Sequence, residues 1–128
     1  MRFIHTADWQ IGKPFAGIEN DDKRGLVRAE RVEAIRRIGE LARERRAEAV
    51  LVAGDLFDSP RADKATVSAL CSAVGSMRLP VFAIPGNHDH GGAGSVWEQA
   101  FFLRERESLA PNLHILLKPE AVATEGGA

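Results

Sequence analysis

The sequence predicts an α/β fold, a largely parallel sheet of about four strands flanked by three helices. Two observations carry this. Four short apolar runs alternate with three longer segments of helical period, the pattern of strand–helix–strand units. Three of the four runs are followed at once by polar clusters, as happens where parallel strands end in loops on one sheet edge. The length, 128 residues, suits a single domain.

The first strand is expected at Arg2 to Thr6, and the second at Ala49-Val50-Leu51-Val52-Ala53, nearly all apolar as a strand covered on both faces should be. Val81-Phe82-Ala83-Ile84 reads as the third and Leu113-His114-Ile115-Leu116-Leu117 as the fourth. The first helix is expected from Leu26 to Ala47, with Val32, Ile35, Ile38 and Leu41 on one face. Its other face carries Arg28, Glu33, Arg36, Arg37, Glu40 and Arg43. That face reads as a solvated stripe laced with ion pairs, Glu33 meeting Arg37 one turn on, rather than as a phosphate-binding surface. The second helix fits Asp63 to Met77, capped by Asp63 or Ser59, with Val67, Leu70 and Val74 inward. Ser95-Val96-Trp97-Glu98 matches a capping box and opens the third helix, whose Trp97, Phe101 and Phe102 read as core or subunit contacts. The stretch from Ala7 to Gly25 reads as a long functional loop broken by Gly12, Pro14, Gly17 and Gly25. Residues 124–128 read as a tail without a terminating element.

Composition narrows the function classes. Seventeen basic and eighteen acidic side chains leave a formal charge of −1, so bulk charge does not argue for nucleic-acid or membrane binding, and any such role must rest on a local site. A single cysteine, Cys71, excludes a disulfide framework within one chain and reads as a small buried apolar residue. No apolar run is long enough for a membrane span. The opening residues lack a signal-peptide core, so a cytoplasmic location is the expectation.

The polar clusters carry the chemistry. Asp8-Trp9-Gln10 follows the first strand, Gly54-Asp55-Leu56-Phe57-Asp58 the second and Pro85-Gly86-Asn87-His88-Asp89 the third. Far apart in sequence, they should converge on one rim. Asp8, Asp55 and Asn87 offer hard oxygen donors of the kind that suits Mg²⁺ or Mn²⁺, with the His88 imidazole beside them. His5 reads as a core residue with a hydrogen-bonded ring, Trp9 as packing, and Asp89 as a turn or cap residue. His90, among glycines, reads equally as a substrate contact or a surface histidine.

In this order the three clusters resemble those of the calcineurin-like metallophosphoesterases. The run from Ile4 to Gly12, followed by Gly54-Asp55-Leu56-Phe57-Asp58, looks like the SbcD-type DNA double-strand-break nuclease branch. The resemblance implies that Asp8 binds a first metal, Asp55 bridges two, and Asn87 binds the second. It implies that His88 contacts the substrate phosphate and assists the leaving oxygen, and that Asp58 hydrogen-bonds His88 to orient it. Two divalent ions, Mn²⁺ or Mg²⁺, are implied, since such a pair can clamp both oxygens of an in-line displacement at phosphorus. The branch implies DNA as substrate, an SbcC-like ATPase partner, and a homodimer pairing through the helices around Asp63–Met77 and Ser95–Glu107. A small-molecule phosphoesterase and a metal-deficient scaffold are the alternatives.

Two positions depart from the family pattern. Gln10 stands where histidine is usual. It is a candidate metal ligand through its side-chain carbonyl oxygen, but a neutral amide ligates more weakly than imidazole, which places it in the outer shell or makes the first metal site loose. The family takes further histidine ligands from loops beyond the third cluster, whereas here only His114 follows His90, and it falls inside a strand. The chain, residues 1–128, therefore reads as the N-terminal part of a metallophosphoesterase domain, the first half of a two-sheet α/β/β/α sandwich. By itself it should bind metal weakly, hydrolyse little, and leave an apolar sheet face uncovered.

Overall fold

The computed structural model describes residues 1–124; the expected tail beyond Thr124 lies outside them. Four strands form one parallel sheet in the order β1-β2-β3-β4: β1 Phe3–Thr6, β2 Ala49–Ala53, β3 Val81–Ile84 and β4 Leu113–Ile115. Three helices connect them, α1 Asp21–Glu44, α2 Lys64–Gly75 and α3 Ala100–Leu109, with a 3-10 turn at Val96–Glu98 before α3. This is the α/β architecture the sequence predicts.

The strand order decides where the core sits. Successive parallel crossovers share one hand, so a sheet that never reverses its order carries all its helices on one face. α1 packs on α2, and α2 on α3. Beneath them lie Ile4, Val50, Val81 and Leu113 in one register row, then Val52, Ala83 and Ile115 in the next. The opposite face presents His5, Leu51, Phe82 and His114 in register, flanked by Phe3 and Ile84, each about half exposed. His5 is therefore exposed, not a core residue: strand alternation turns it to the side that no helix covers. His114 sits in β4 as expected and stacks on Phe82 at 5.1 Å.

α1 begins five residues earlier than the periodicity suggests. The Asn20 side chain accepts from the Lys23 amide at 3.0 Å, and Asp21 and Asp22 suit the positive end of the helix dipole. Gly25 is tolerated because it faces solvent, where helical backbone needs no side chain to pack. The helix ends at Glu44 rather than Ala47 because Arg46 turns into the left-handed region at φ 54°. Its buried stripe is Ile35, Gly39 and Ala42, with Val32 and Ile38 at the edge, while Leu41 is turned outward. Gly39 is required there: a Cβ would fall 2.7 Å from Met77 Cγ. The expected lacing by ion pairs is sparse. Arg37 pairs with Glu30 at 3.4 Å rather than with Glu33, and Arg43 instead donates to the Met77 carbonyl.

Asp63 caps α2 by accepting from the Thr66 amide at 2.8 Å, and the Thr66 hydroxyl and amide together hold its carboxyl below the ordinary value. Ser59 instead accepts from Arg61 N. The capping box at Ser95 does not form. The Trp97 indole donates to the Asp89 carbonyl at 2.7 Å, drawing residues 96–98 into a separate 3-10 turn. Ser95 Oγ is buried without a hydrogen-bond partner among the described residues, and Glu98 accepts from Gly94 N instead. Trp97 and Phe102 do enter the core, meeting edge to face at 5.1 Å and both contacting Phe57, while Phe101 is partly buried.

Candidate functional site

The loops after β1, β2 and β3 leave the same edge of the sheet and are stitched together there. Asp8 N donates to the Gly54 carbonyl at 3.1 Å, Gln10 N to that of Asp55 at 2.9 Å and Ile11 N to that of Leu56 at 2.9 Å. Asp58 N returns a bond to the Ile11 carbonyl at 3.0 Å, so residues 8–11 run beside residues 54–58 as a short parallel extension of the sheet. Leu56 and Phe57 are fully buried and fasten that extension to the core, leaving Asp55 and Asp58 partly exposed on either side.

The backbone at the rim is strained. Asp8, Gln10 and Asp55 have φ of 57°, 47° and 55°, a region that non-glycine residues seldom occupy, and Gly54 precedes Asp55 at φ 88°. Such conformations persist where surrounding bonds over-determine them and are concentrated at functional sites. Here the stitching supplies those bonds, and the sharp turn re-aims Asp8 and Asp55 just as their strands end.

Asn87 and His88 are exposed on the neighbouring loop. His88 N donates to Asp55 Oδ1 at 2.9 Å, joining the third cluster to the second. The His88 ring is held through Nδ1, 2.9 Å from the Asp58 carbonyl oxygen, while the Asp58 carboxylate lies at 3.9 Å. The orienting contact expected from the Asp58 side chain is thus made by its main chain. A carbonyl only accepts, so in this contact Nδ1 carries the proton.

Two residues at this rim escaped the sequence reading. Asp89, expected as a turn or cap residue, is wholly buried. Its Oδ1 accepts from Asp55 N at 3.1 Å and Gly86 N at 2.7 Å, and its Oδ2 from Phe57 N at 3.0 Å. Burial pushes its carboxyl above the ordinary value, against the downward pull of these amides. The signal for it was present: a carboxylate three residues after Gly86 can reach back to that amide. Arg31 is the other. Its guanidinium donates to the carbonyls of Trp9 at 3.0 Å and Asp8 at 3.4 Å, contacts across more than twenty residues that no local pattern marks. Trp9 is packing, as expected, its Nε1 donating to Thr6 Oγ1. His90 is exposed.

Asp8, Asp55 and Asn87 are hard oxygen donors on adjoining loops, the ligand type that a Mg²⁺- or Mn²⁺-sized ion takes. One Asp55 oxygen is already engaged by His88 N, which leaves Oδ2. Among the described residues, no three His, Cys, Asp or Glu side chains gather closely enough to hold a metal ion. The donor types suit a divalent ion such as Mg²⁺ or Mn²⁺, and the described residues do not assemble the two-ion centre that the resemblance implied. Among the described residues, no helix is long and apolar enough to cross a membrane.

Comparison with known families agrees with this sheet architecture. The family model for calcineurin-like phosphoesterases matches residues 1–125, nearly the whole chain, and the chain belongs to that family, whose chemistry is metal-dependent hydrolysis of phosphoesters.

Proposed function

We propose that the chain supplies the rim formed by Asp8, Asp55, Asn87 and His88 to a phosphodiesterase that cuts DNA with Mn²⁺ or Mg²⁺. A homodimer, an SbcC-like ATPase partner and a cytoplasmic setting belong to the same proposal. The observation that supports it is the coupling of three loops at one sheet edge, through Asp8 N to Gly54 O and His88 N to Asp55 Oδ1. A divalent ion bound there would polarise the phosphoryl oxygens and offset their charge.

The protein's own groups divide the remaining work. Asp8, Asp55 and Asn87 present oxygen donors, and Gln10, partly buried and tied by its amide to Asp55 O, braces the loop that carries Asp8. His88, with Nδ1 fixed on the Asp58 carbonyl, turns Nε2 toward the substrate; as imidazolium it can give a proton to the departing oxygen.

Calorimetric titration with Mn²⁺, paired with hydrolysis of DNA ends and of bis(p-nitrophenyl) phosphate, tests the proposal. Asp55→Ala should lose metal binding, whereas His88→Ala should keep the metal and lose about 10²–10⁴-fold in turnover. Loss of metal binding in His88→Ala would overturn the role given to that ring. Hydrolysis of the chromogenic diester with DNA left intact would favour a small-molecule substrate.

A further inference from the structure

A cleft of about 310 Å³ opens between the loop after β1, the exposed side of α1 and the start of α2. Lys13, Arg28 and Arg31 line it, against the single carboxylate of Asp63, which is engaged in capping α2. In a chain of net charge −1, this is a local surplus of positive charge. Its cations are held in place rather than loose. Lys13 Nζ lies 5.7 Å and the Arg31 guanidinium 5.5 Å from the centre of the Phe15 ring, and Arg28 donates to the Pro14 carbonyl. Phe15 itself sits at φ 52°, a costly conformation for an aromatic residue. The cleft and the metal rim share a wall, because the guanidinium that faces Phe15 also donates to the carbonyls of Asp8 and Trp9.

We propose that this cleft holds a backbone phosphate of a nucleic-acid strand whose neighbouring phosphodiester lies over the Asp8–Asp55 rim. The inference rests on the proposed function and adds a substrate requirement to it. An isolated diester or monoester has no second anion to place beside the one being cut. A polyphosphodiester does, tethered at short range, and arginines already fixed by carbonyl bonds lose little further freedom on meeting it.

The test is binding of a short fluorescein-labelled single strand to the full chain in EDTA, read by anisotropy across a salt series. Lys13→Gln/Arg28→Gln should weaken binding about tenfold and reduce the steepness of log affinity against log salt by about 1. Lys13→Gln alone, which breaks no side-chain hydrogen bond among the described residues, should move both in the same direction by less. Arg104→Gln, an exposed cation on α3, should leave both unchanged. Unaltered affinity and slope in the double variant, no strand binding by the unsubstituted chain, or equally effective competition by a nucleoside monophosphate would each overturn the proposal. EDTA removes the metal, so these outcomes are independent of the Mn²⁺ titration. A chain that binds the strand but no metal would sink the hydrolytic reading alone.

Discussion

Asp89 holds Asp55 in place without touching its carboxylate. Its own buried carboxylate accepts from the backbone amides of Asp55, Phe57 and Gly86, tying the end of β2 to the end of β3 at the point where the chain turns to present the Asp55 carboxylate. The position of Asp55 at the rim is thus set by a residue on another loop, and that dependence can be measured.

Asp89→Ala strands three amides at once, that of Phe57 buried and those of Asp55 and Gly86 partly buried. Each unsatisfied group costs about 1–3 kcal/mol, so a loss of roughly 3 kcal/mol or more is expected, read as a lower urea midpoint. Mn²⁺ affinity should fall with it, because Asp55 loses its anchor. Asp89→Asn keeps one acceptor oxygen and should fall between wild type and alanine in both measurements.

Gly86 leaves no room for a side chain. A Cβ there would overlap Asp55 Oδ1 and crowd the Asp55 amide, at 2.5 Å. Gly86→Ala should therefore displace the Asp55 carboxylate, costing about 1–3 kcal/mol of stability and abolishing detectable metal binding by calorimetry. Gly91→Ala, where a Cβ meets Pro85 Cγ at 3.0 Å and lies away from Asp55, should spare metal binding.

Cys71 makes stability fall in alkali. Burial pushes its thiol up to about 11, from an ordinary value near 9.0. Between those values the unfolded chain releases a proton that the native chain keeps, so native stability drops as pH rises through the window, by about 2–3 kcal/mol in all. Urea midpoints at both ends of the window, under reducing conditions, should show this decline in wild type and a smaller one in Cys71→Ala. For the same reason the native thiol should resist iodoacetamide near neutral pH and react once unfolded.

Two glycines in α1 should respond in opposite ways. A Cβ at Gly25 meets nothing within 4 Å, and Gly25→Ala should raise stability by about 0.5–1 kcal/mol through the backbone entropy of the unfolded chain. Gly39→Ala drives a methyl into Met77 and should lower stability by about 1–3 kcal/mol. Paired thermal melts of the two variants check both signs.

Much of the fold and half of the site were legible because they depend on local pattern. The strands announce themselves by apolar runs, α2 by Asp63 and its periodic valines and leucines, and the polar rim residues by following strand ends beside Gly54 and Gly86. What misled was also local. Ser95 and Glu98 have capping-box spacing, yet the pull of the Trp97 indole on the Asp89 carbonyl outweighs it. Gly25 looks like a breaker, yet Asn20 has already started the helix. His5 looks like core because β1 is apolar, but alternation alone does not say which of two faces will be covered.

By itself the sequence determined the α/β class, the strand and helix order, and the identity of the residues at the strand ends, since these follow from side-chain periodicity and backbone preference over a few neighbours. Only the tertiary structure decided that all three helices share one face, that Asp89 grips the backbone of Asp55, that the Asp58 carbonyl rather than its carboxylate orients His88, and that Arg31 joins the basic cleft to Asp8. Each of these is a contact between segments distant along the chain. Its existence depends on strand order and packing, which no local pattern encodes.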